Sequence, residues 1–309
     1  MKSLSNVLVV AASFLLAATA SAFTCPSTPS GTVYFRAGDE LRAVNTATNA
    51  ITTSTLTRAG VDRNAMAWDR ATGSVYASGG GTDNSVATLN NDGTFTLSTF
   101  SLSSAGFAGG TALPGSRWLV AAQPDSYEVR SVAPGSGFGA LLASGTFSPT
   151  TNGGVSGDLA YRSSDNRVYF IGPISSPTRI GWIDPTTFAV TYGPTIAWPS
   201  SATATGAGPL GFDADGNLFA QITTTGSVHT FFKFSAGAIG AASGTVAPQV
   251  IGSATAISGT DGFSCVPTPD TPVPTLGQWS LWGLALLMMV VVASQRRVSR
   301  KSIGGDQGV

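Results

Sequence analysis

Short runs of apolar and polar residues, separated by polar turns, fill the middle of the chain. Each clear copy is a strand, a turn that contains Gly or Asn, and a second strand, which is the pattern of a β-hairpin. No stretch of this body shows a sustained helical apolar period, so the pattern favours strands. The clearest strand pairs are Ala67-Trp68-Asp69 with Val75-Tyr76-Ala77, Ala160-Tyr161-Arg162 with Val168-Tyr169-Phe170, and Gly211-Phe212-Asp213 with Leu218-Phe219-Ala220.

A second hairpin follows each of these pairs, so the repeated unit has four strands. An aromatic residue marks the second strand of each unit and recurs every 42 to 51 residues, at Tyr34, Tyr76, Trp118, Tyr169 and Phe219. Four strands at this period are typical of a β-propeller blade. The sequence therefore predicts an all-β propeller of about five blades, or six if residues 195–207 contain a further hairpin.

The two ends of this body complement each other. Residues 31–34 read as a second strand without a first, and residues 262–264 read as a first strand without a second. Together they complete one shared blade, which removes an open sheet edge. Cys25 and Cys265 flank the two fragments, and an exported chain meets an oxidising compartment. We expect a Cys25–Cys265 disulfide, worth about 5 kcal/mol in the chain-entropy model; two unpaired thiols are the alternative.

The N-terminus has the features of an export signal. Lys2 supplies the positive charge, residues 7–18 are mostly apolar, and Ala20-Ser21-Ala22 is a small-x-small cleavage site. We expect a signal peptide at residues 1–22 and a mature chain that begins at Phe23. An uncleaved membrane anchor is the alternative.

The C-terminus has the features of a membrane anchor. A Pro-rich linker at residues 267–272 leads to residues 273–293, which are long enough to cross the hydrocarbon core as a helix, since a crossing takes about 20 residues. A helix buried in the core of the body is the alternative. By the positive-inside rule, the basic residues that follow hold the tail at 302–309 in the cytoplasm. These residues are Arg296, Arg297, Arg300 and Lys301.

The start of this anchor carries a family resemblance. A short signature resembles the IPTL-type C-terminal sorting domain, a relative of the PEP-CTERM signals of Gram-negative bacteria. The resemblance covers residues 273–301, and it departs from the family where Gly277 replaces the usual Ser and where Ile is preferred at the first position. It implies that an exosortase-like membrane protease recognises and cuts the tail, and that the body goes to the cell surface or extracellular matrix. The signature residues are Val273, Pro274, Thr275, Leu276 and Trp279.

The composition of the exported body excludes some partners. Residues 23–266 are enough for one large domain. With the linker, this part carries 15 acidic and 11 basic side chains, a net charge near −4, and Lys233 is its single lysine. Nucleic-acid binding requires a concentrated basic face, so no nucleic-acid partner is expected.

Candidate catalytic and metal-binding groups are few. His229 is the single histidine; paired with a carboxylate it would make a catalytic base, but we interpret it as solvent-facing or hydrogen-bonded. Asp213, Asp215 and Asn217 resemble part of a calcium loop, yet no glutamate follows them, so we interpret them as turn residues. Two cysteines and one histidine cannot build a closed tetrahedral metal site. No cofactor and no metal are predicted.

Aromatic residues also recur in the innermost strands, at Trp68, Tyr161, Phe212 and Phe263. A ring of aromatics around a channel mouth would be typical of a sugar-binding propeller. Because these four recur at matching positions of the repeat, we interpret them as packing between blades.

The prediction for function is a non-catalytic binding or structural protein of the cell surface. Its expected partners are membrane lipid, the exosortase-like protease and a glycan or surface polymer. The alternative is an extracellular carbohydrate-active hydrolase or lyase, because propellers host unrelated functions. An enzyme of that kind would bring carboxylates together in the channel with pKa values pushed apart. A structure that shows four particular aspartates only in turns would favour the binding role instead. These residues are Asp69, Asp158, Asp184 and Asp213.

Overall fold

The structure is a computed structural model that describes residues 21–25, 31–57, 62–151, 157–173, 177–206 and 208–265. Within these residues the chain forms five mainly antiparallel sheets. The innermost strands of the five sheets neighbour one another around a closed ring. The body is therefore a five-bladed β-propeller, as the repeats predicted.

The strands follow the chain blade by blade. The first blade contains β1 (Thr32–Ala37), β2 (Glu40–Asn45) and β3 (Ile51–Thr55). The second contains β4 (Arg63–Asp69), β5 (Ser74–Gly79), β6 (Ser85–Leu89) and β7 (Phe95–Ser101). The third contains β8 (Phe107–Leu113), β9 (Arg117–Ala122), β10 (Ser126–Ser131) and β11 (Leu141–Thr146).

The fourth blade contains β12 (Ala160–Arg162), β13 (Arg167–Gly172), β14 (Arg179–Ile183) and β15 (Val190–Ile196). The fifth contains β16 (Ala204–Gly206), β17 (Leu210–Phe212), β18 (Leu218–Thr224) and β19 (Val228–Phe234), followed by a short helix, α1 (Ala236–Ile239). Three strands complete the set: β20 (Thr245–Val246), β21 (Gln249–Thr255) and β22 (Thr260–Ser264). β20 adds to the fourth blade, β21 is the outer strand of the fifth, and β22 is the innermost strand of the first.

The alternative of a sixth blade is not found in the described part of the chain, because β16, which lies within residues 195–207, pairs with β18 inside the fifth blade.

The ring closes through the shared first blade, as predicted. β22 pairs antiparallel with β1 and places Phe263 opposite Tyr34. Cys25 and Cys265 form the expected disulfide, with 5.4 Å between their Cα atoms. The Phe23 ring packs edge-on against the rings of Tyr34 and Phe263. The closure therefore combines a strand pair, a covalent bond and an aromatic cluster.

Strand register corrects the alignment of the repeats in the third blade. Trp118 lies opposite Ala112, as Val75 lies opposite Trp68 in the second blade. Leu119, not Trp118, is therefore the equivalent of Tyr76. The recurring second-strand positions are Tyr34, Tyr76, Leu119, Tyr169 and Phe219, and all five are buried.

The core lies between the blades. Each of these five side chains packs against the next blade around the ring: Tyr34 contacts the cluster that contains Val75, and Phe219 contacts Val33 and Phe35 of the first blade. Burying a large apolar side chain contributes about 1.5–3 kcal/mol. The repeated position therefore stabilises all five interfaces in the same way.

The innermost strands approach one another closely at the centre. A Cβ added to Gly110 of β8 would lie 2.4 Å from the carbonyl oxygen of Ala65 in β4. A Cβ added to Gly262 of β22 would lie 2.9 Å from Cβ of Pro209, just before β17. Real side chains essentially never make such contacts, so glycine permits the narrow centre of this propeller.

Candidate functional site

Two carboxyl groups meet on the axis of the propeller. Asp158 lies just before Leu159 and the start of β12 at Ala160, and Asp261 lies in β22. Neither residue is exposed to solvent, and their side chains hydrogen-bond to each other. They belong to the fourth and first blades, which are separated by the fifth. The contact between them therefore crosses the centre of the ring.

Asp158 accepts hydrogen bonds from three blades. Its Oδ1 accepts from the backbone N–H of Gly110 at 3.1 Å and of Leu159 at 2.7 Å. Its Oδ2 accepts from the backbone N–H of Leu210 at 3.2 Å. The third, fourth and fifth blades thus each present an amide to this carboxyl group.

Asp261 accepts hydrogen bonds from the other two blades. Its Oδ2 accepts from the backbone N–H of Met66 at 2.8 Å, and its Oδ1 accepts from the backbone N–H of Gly262 at 2.7 Å. All five blades therefore direct one amide at the pair. We call the five donors the amide ring: Met66, Gly110, Leu159, Leu210 and Gly262.

Register places the amide ring at a single position of the repeat. Gly110, Leu210 and Gly262 lie opposite equivalent residues of their second strands, which are Val120, Ala220 and Phe35. The position one residue earlier is Asp in two blades and a small or cyclic residue in the other three. The five residues there are Ala65, Gly109, Asp158, Pro209 and Asp261.

Burial changes the acid–base chemistry of the pair. Burial first, and then the neighbouring Asp261 carboxylate, raise the pKa of Asp158 well above its ordinary value. Burial also raises the pKa of Asp261, to about 8, although the amides of Met66 and Gly262 and the guanidinium of Arg36 act in the opposite direction. Two touching carboxyl groups in a buried site hold a proton between them, because ionising both is costly.

The geometry of the pair does not suit catalysis. A general acid or base has to reach the substrate atom that exchanges a proton. Here the carboxyl oxygens accept backbone hydrogen bonds, both residues are fully buried, and the innermost strands close around them. The pair is therefore a sealed polar centre.

The other aspartates considered from sequence lie at turns. Asp69 accepts a hydrogen bond from Thr72 N–H at 3.0 Å, and Asp184 accepts from Thr186 and Thr187 N–H at 2.7 and 2.9 Å. These bonds lower the pKa of Asp184. Asp69 and Asp184 are thus confined to turns, and Asp158 is not.

Asp213 also serves its turn. Its Oδ1 accepts a hydrogen bond from Asn217 N–H at 2.7 Å, and its Oδ2 accepts one from the Asn217 side-chain amide at 2.8 Å. These two residues therefore act as turn residues, as the sequence interpretation held. Groups of three or more potential metal-ligating side chains are not found within the described part of the chain.

His229 belongs to a buried polar cluster between the fifth and first blades. Its Nδ1 lies 2.9 Å from Nη1 of Arg42, so the ring accepts the hydrogen bond there. Arg42 Nη2 also donates to Glu40 Oε2 at 2.7 Å. Burial and the Arg42 charge lower the pKa of His229 to about 4. The imidazole is therefore neutral near pH 7, and the hydrogen-bonded interpretation is correct.

The four innermost-strand aromatics pack rather than line an opening. Phe212 packs edge-on against Tyr169, and Phe263 stacks on Tyr34. Trp68 and Tyr161 are partly buried against the apolar clusters between blades. Strand register corrects the prediction that the four aromatics occupy matching positions of the repeat. Phe263 occupies the position that Ala67 and Gly211 have in their blades, and not the position of Trp68 and Phe212.

The sorting signature, the basic stop and the predicted span at 273–293 lie outside the described residues. So does the predicted signal peptide up to residue 20. Among the residues that the structure does describe, none forms a helix of the length and apolarity that a membrane crossing requires.

Comparison with known proteins identifies the C-terminal segment. Residues 271–297 match the IPTL-CTERM motif. The chain carries this sorting motif. The match includes the whole signature and the basic residues Arg296 and Arg297, so the resemblance noted in the sequence is confirmed. The motif is consistent with processing by an exosortase-like enzyme and indicates a secreted, surface-associated protein. No curated protein matches the chain as a relative.

Several solved structures resemble the propeller at low identity. The chain is 9% identical to a protein in a nidogen/laminin complex, covering 76% of this chain and 98% of that one, with a TM-score of 0.42. It is 13% identical to a protein from Lactobacillus plantarum, covering 73% and 82%, with a TM-score of 0.44. It is 12% identical to virginiamycin B lyase from Staphylococcus aureus, covering 80% and 74%, with a TM-score of 0.38. Likenesses at this level carry no argument about function.

Proposed function

We propose that this protein is exported, held or processed at the membrane through its C-terminal tail, and displayed at the cell surface as a non-catalytic propeller. The observation that carries the proposal is the IPTL-CTERM motif at residues 271–297, joined to a body that is closed by a disulfide. A disulfide of this kind persists in an oxidising compartment. In this proposal residues 273–293 cross the membrane and an exosortase-like protease cuts near the signature.

The sealed axis supports a binding or structural role. The carboxyl groups that converge, Asp158 and Asp261, have no exposed surface for a substrate. His229 is likewise buried, and Arg42 occupies its Nδ1. A hydrolase or lyase on carbohydrate would need ionisable groups that a sugar can reach. The outer strands instead present hydroxyl groups to solvent, for example at Thr52–Thr55 of β3, which suits contact with a glycan or surface polymer.

Deletion of the tail tests the sorting proposal. The full-length chain and a variant that lacks residues 273–301 are expressed in a Gram-negative host with an exosortase-like protease, and membrane, surface and medium fractions are compared. We expect the full chain at the membrane or surface and the truncated chain in the periplasm or medium. A matched control replaces Arg296, Arg297, Arg300 and Lys301 with Gln, which leaves the signature intact but removes the basic stop. Unchanged surface delivery of the truncated chain would contradict the proposal.

A separate experiment tests the binding role. The full-length chain in detergent is applied to a glycan array and incubated with the same polysaccharides to detect cleavage. We expect binding without release of shorter products. Cleavage that disappears in Asp158→Asn would overturn the non-catalytic assignment in favour of the hydrolase alternative.

A further inference from the structure

The amide ring and the two aspartates that accept its hydrogen bonds have no part in the proposed sorting and surface roles. Five backbone N–H groups from five blades converge on two side chains. The unfolded chain solvates all seven groups separately, since the donors are distributed between residues 66 and 262. Buried amides without a partner are costly. The five amides therefore meet the two carboxyl groups only when the ring of blades is assembled.

The protonation state of the pair controls this convergence. With one proton shared, the pair carries one negative charge and one hydrogen bond between the carboxyl groups, and the five amides satisfy the remaining oxygens. With no proton, two negative charges lie side by side in a buried centre, and the hydrogen bond between the carboxyl groups is replaced by repulsion. The five amides still donate their hydrogen bonds, but these bonds then have to stabilise two negative charges that repel each other.

The charged groups around the pair do not compensate for a second negative charge. Arg36 of β1 attracts Asp261, but its guanidinium is already engaged by Asp62 and by the carbonyl oxygens of Gly38 and Arg63. Arg63 of β4 donates to Ser85 instead.

The remaining innermost strands add little charge near the pair. β8 and β17 contain no ionisable residue. The guanidinium of Arg162, at the end of β12, pairs with Asp165 and Tyr169. Among the described residues, none of these side chains therefore offers the pair a further positive charge.

We propose that Asp158 and Asp261 form a one-proton latch on the propeller axis, which holds the five blades together while the proton is shared and loosens the ring when the proton is lost. The direction of the pH dependence follows from the raised pKa values of both groups. The latch contributes fully below the pKa of an unfolded aspartate, about 3.9, and its contribution is lost as the pH rises through the raised folded-state pKa values of the pair. The folding equilibrium constant then falls up to about tenfold per pH unit for each extra proton held by the native state.

The proposal is tested on the full-length chain purified in detergent, with its disulfide intact. Urea unfolding is followed by tryptophan fluorescence between pH 5 and pH 9. We expect the unfolding midpoint of the wild type to fall steadily with rising pH. Asp261→Asn, which replaces the shared proton by an amide donor toward Asp158, should flatten this slope. Asp184→Asn is the matched control, because it changes a turn aspartate and should leave the slope of the wild type.

A second measurement does not depend on whether the variants fold. Infrared spectroscopy of the wild type should detect the C=O stretch of a protonated carboxyl group at pH 6.5, a pH at which ordinary aspartates are ionised. The band should persist while the unfolding midpoint falls and should disappear at alkaline pH, where the fall levels off. Absence of a protonated carboxyl band at pH 6.5, or an Asp261→Asn variant with the pH slope of the wild type, would overturn the latch.

Discussion

The aspartates at the turns and the aspartates on the axis lie in opposite environments, and the pKa values of Asp184 and Asp261 shift in opposite directions. Asp184 accepts two amides from residues just beyond it in its own turn, remains exposed, and has a lowered pKa. Asp261 also accepts two amides, but it is buried against Asp158 and its pKa is raised. The number of hydrogen bonds does not decide the outcome. Burial raises the pKa of Asp261 by more than its amide donors lower it, whereas the amide donors of Asp184 outweigh the smaller effect of burial there.

The largest expected effect breaks the axis pair. Asp261→Ala leaves the amides of Met66 and Gly262 without acceptors and removes the partner of Asp158. Removing one member of a buried pair typically costs about 3–5 kcal/mol. Urea unfolding at pH 6 should show a loss of that size. A loss no larger than that of a turn variant would erase the distinction between axis and turn.

A smaller effect tests the spacing of the amide ring. Gly110→Ala would place a methyl group 2.4 Å from the Ala65 carbonyl oxygen, so β8 has to move away from β4 and from Asp158. Overpacking of this kind costs about 1–3 kcal/mol. Gly137→Ala is the control, since nothing lies within 4 Å of its added Cβ. Equal unfolding midpoints for the two variants would mean that the centre is not tightly packed.

His229 sharpens the comparison because its pH dependence has the opposite sign. Its folded-state pKa of about 4 lies below the ordinary value of 6.5, so the native state binds fewer protons than the unfolded state between these values. Stability is then full above pH 6.5 and is lost as the pH falls toward 4, by about 1–3 kcal/mol. His229→Asn keeps an acceptor near Arg42 but does not titrate. Its unfolding midpoint should vary less than that of the wild type between pH 4 and pH 7.

The smallest effect belongs to the turns. Asp184→Ala removes the acceptor for two exposed backbone amides, which water replaces, so the cost at pH 7 should be about 0.5 kcal/mol. Because the pKa of Asp184 is lowered, its contribution is present at neutral pH and is lost as the pH falls from about 3.9 through the lowered folded-state pKa. Thermal unfolding should show a smaller difference between variant and wild type at pH 3 than at pH 7.

The architecture could be predicted from the sequence because each blade repeats a local pattern of strands and turns. The hairpin pattern, the orphan strands at 31–34 and 262–264, and the two cysteines lead to five blades and their closure without knowledge of any long-range contact. The turn roles of Asp69, Asp184 and Asp213 are local as well. Each accepts a hydrogen bond from a residue at most four positions away.

The axis pair could not be predicted in the same way. Asp158 and Asp261 are distant in the chain, and their meeting depends on which residues of the innermost strands point to the centre. The aromatic pattern conceals this position, because Trp118 is offset by one residue from the second-strand aromatics of the other blades. Once strand register is used, both aspartates occupy one position of the repeat and its other occupants are small or cyclic. That coincidence is the signal that sequence reasoning missed.

The closure of the first blade also determines how the body bears mechanical force. In the proposed attachment through the C-terminal tail, a pull on the tail reaches the propeller next to Cys265. Without a covalent link, tension there would peel β22 away from β1 one hydrogen bond at a time. The bond from Cys265 to Cys25 diverts that tension into the chain that leads to β1, so both strands of the pair are loaded together.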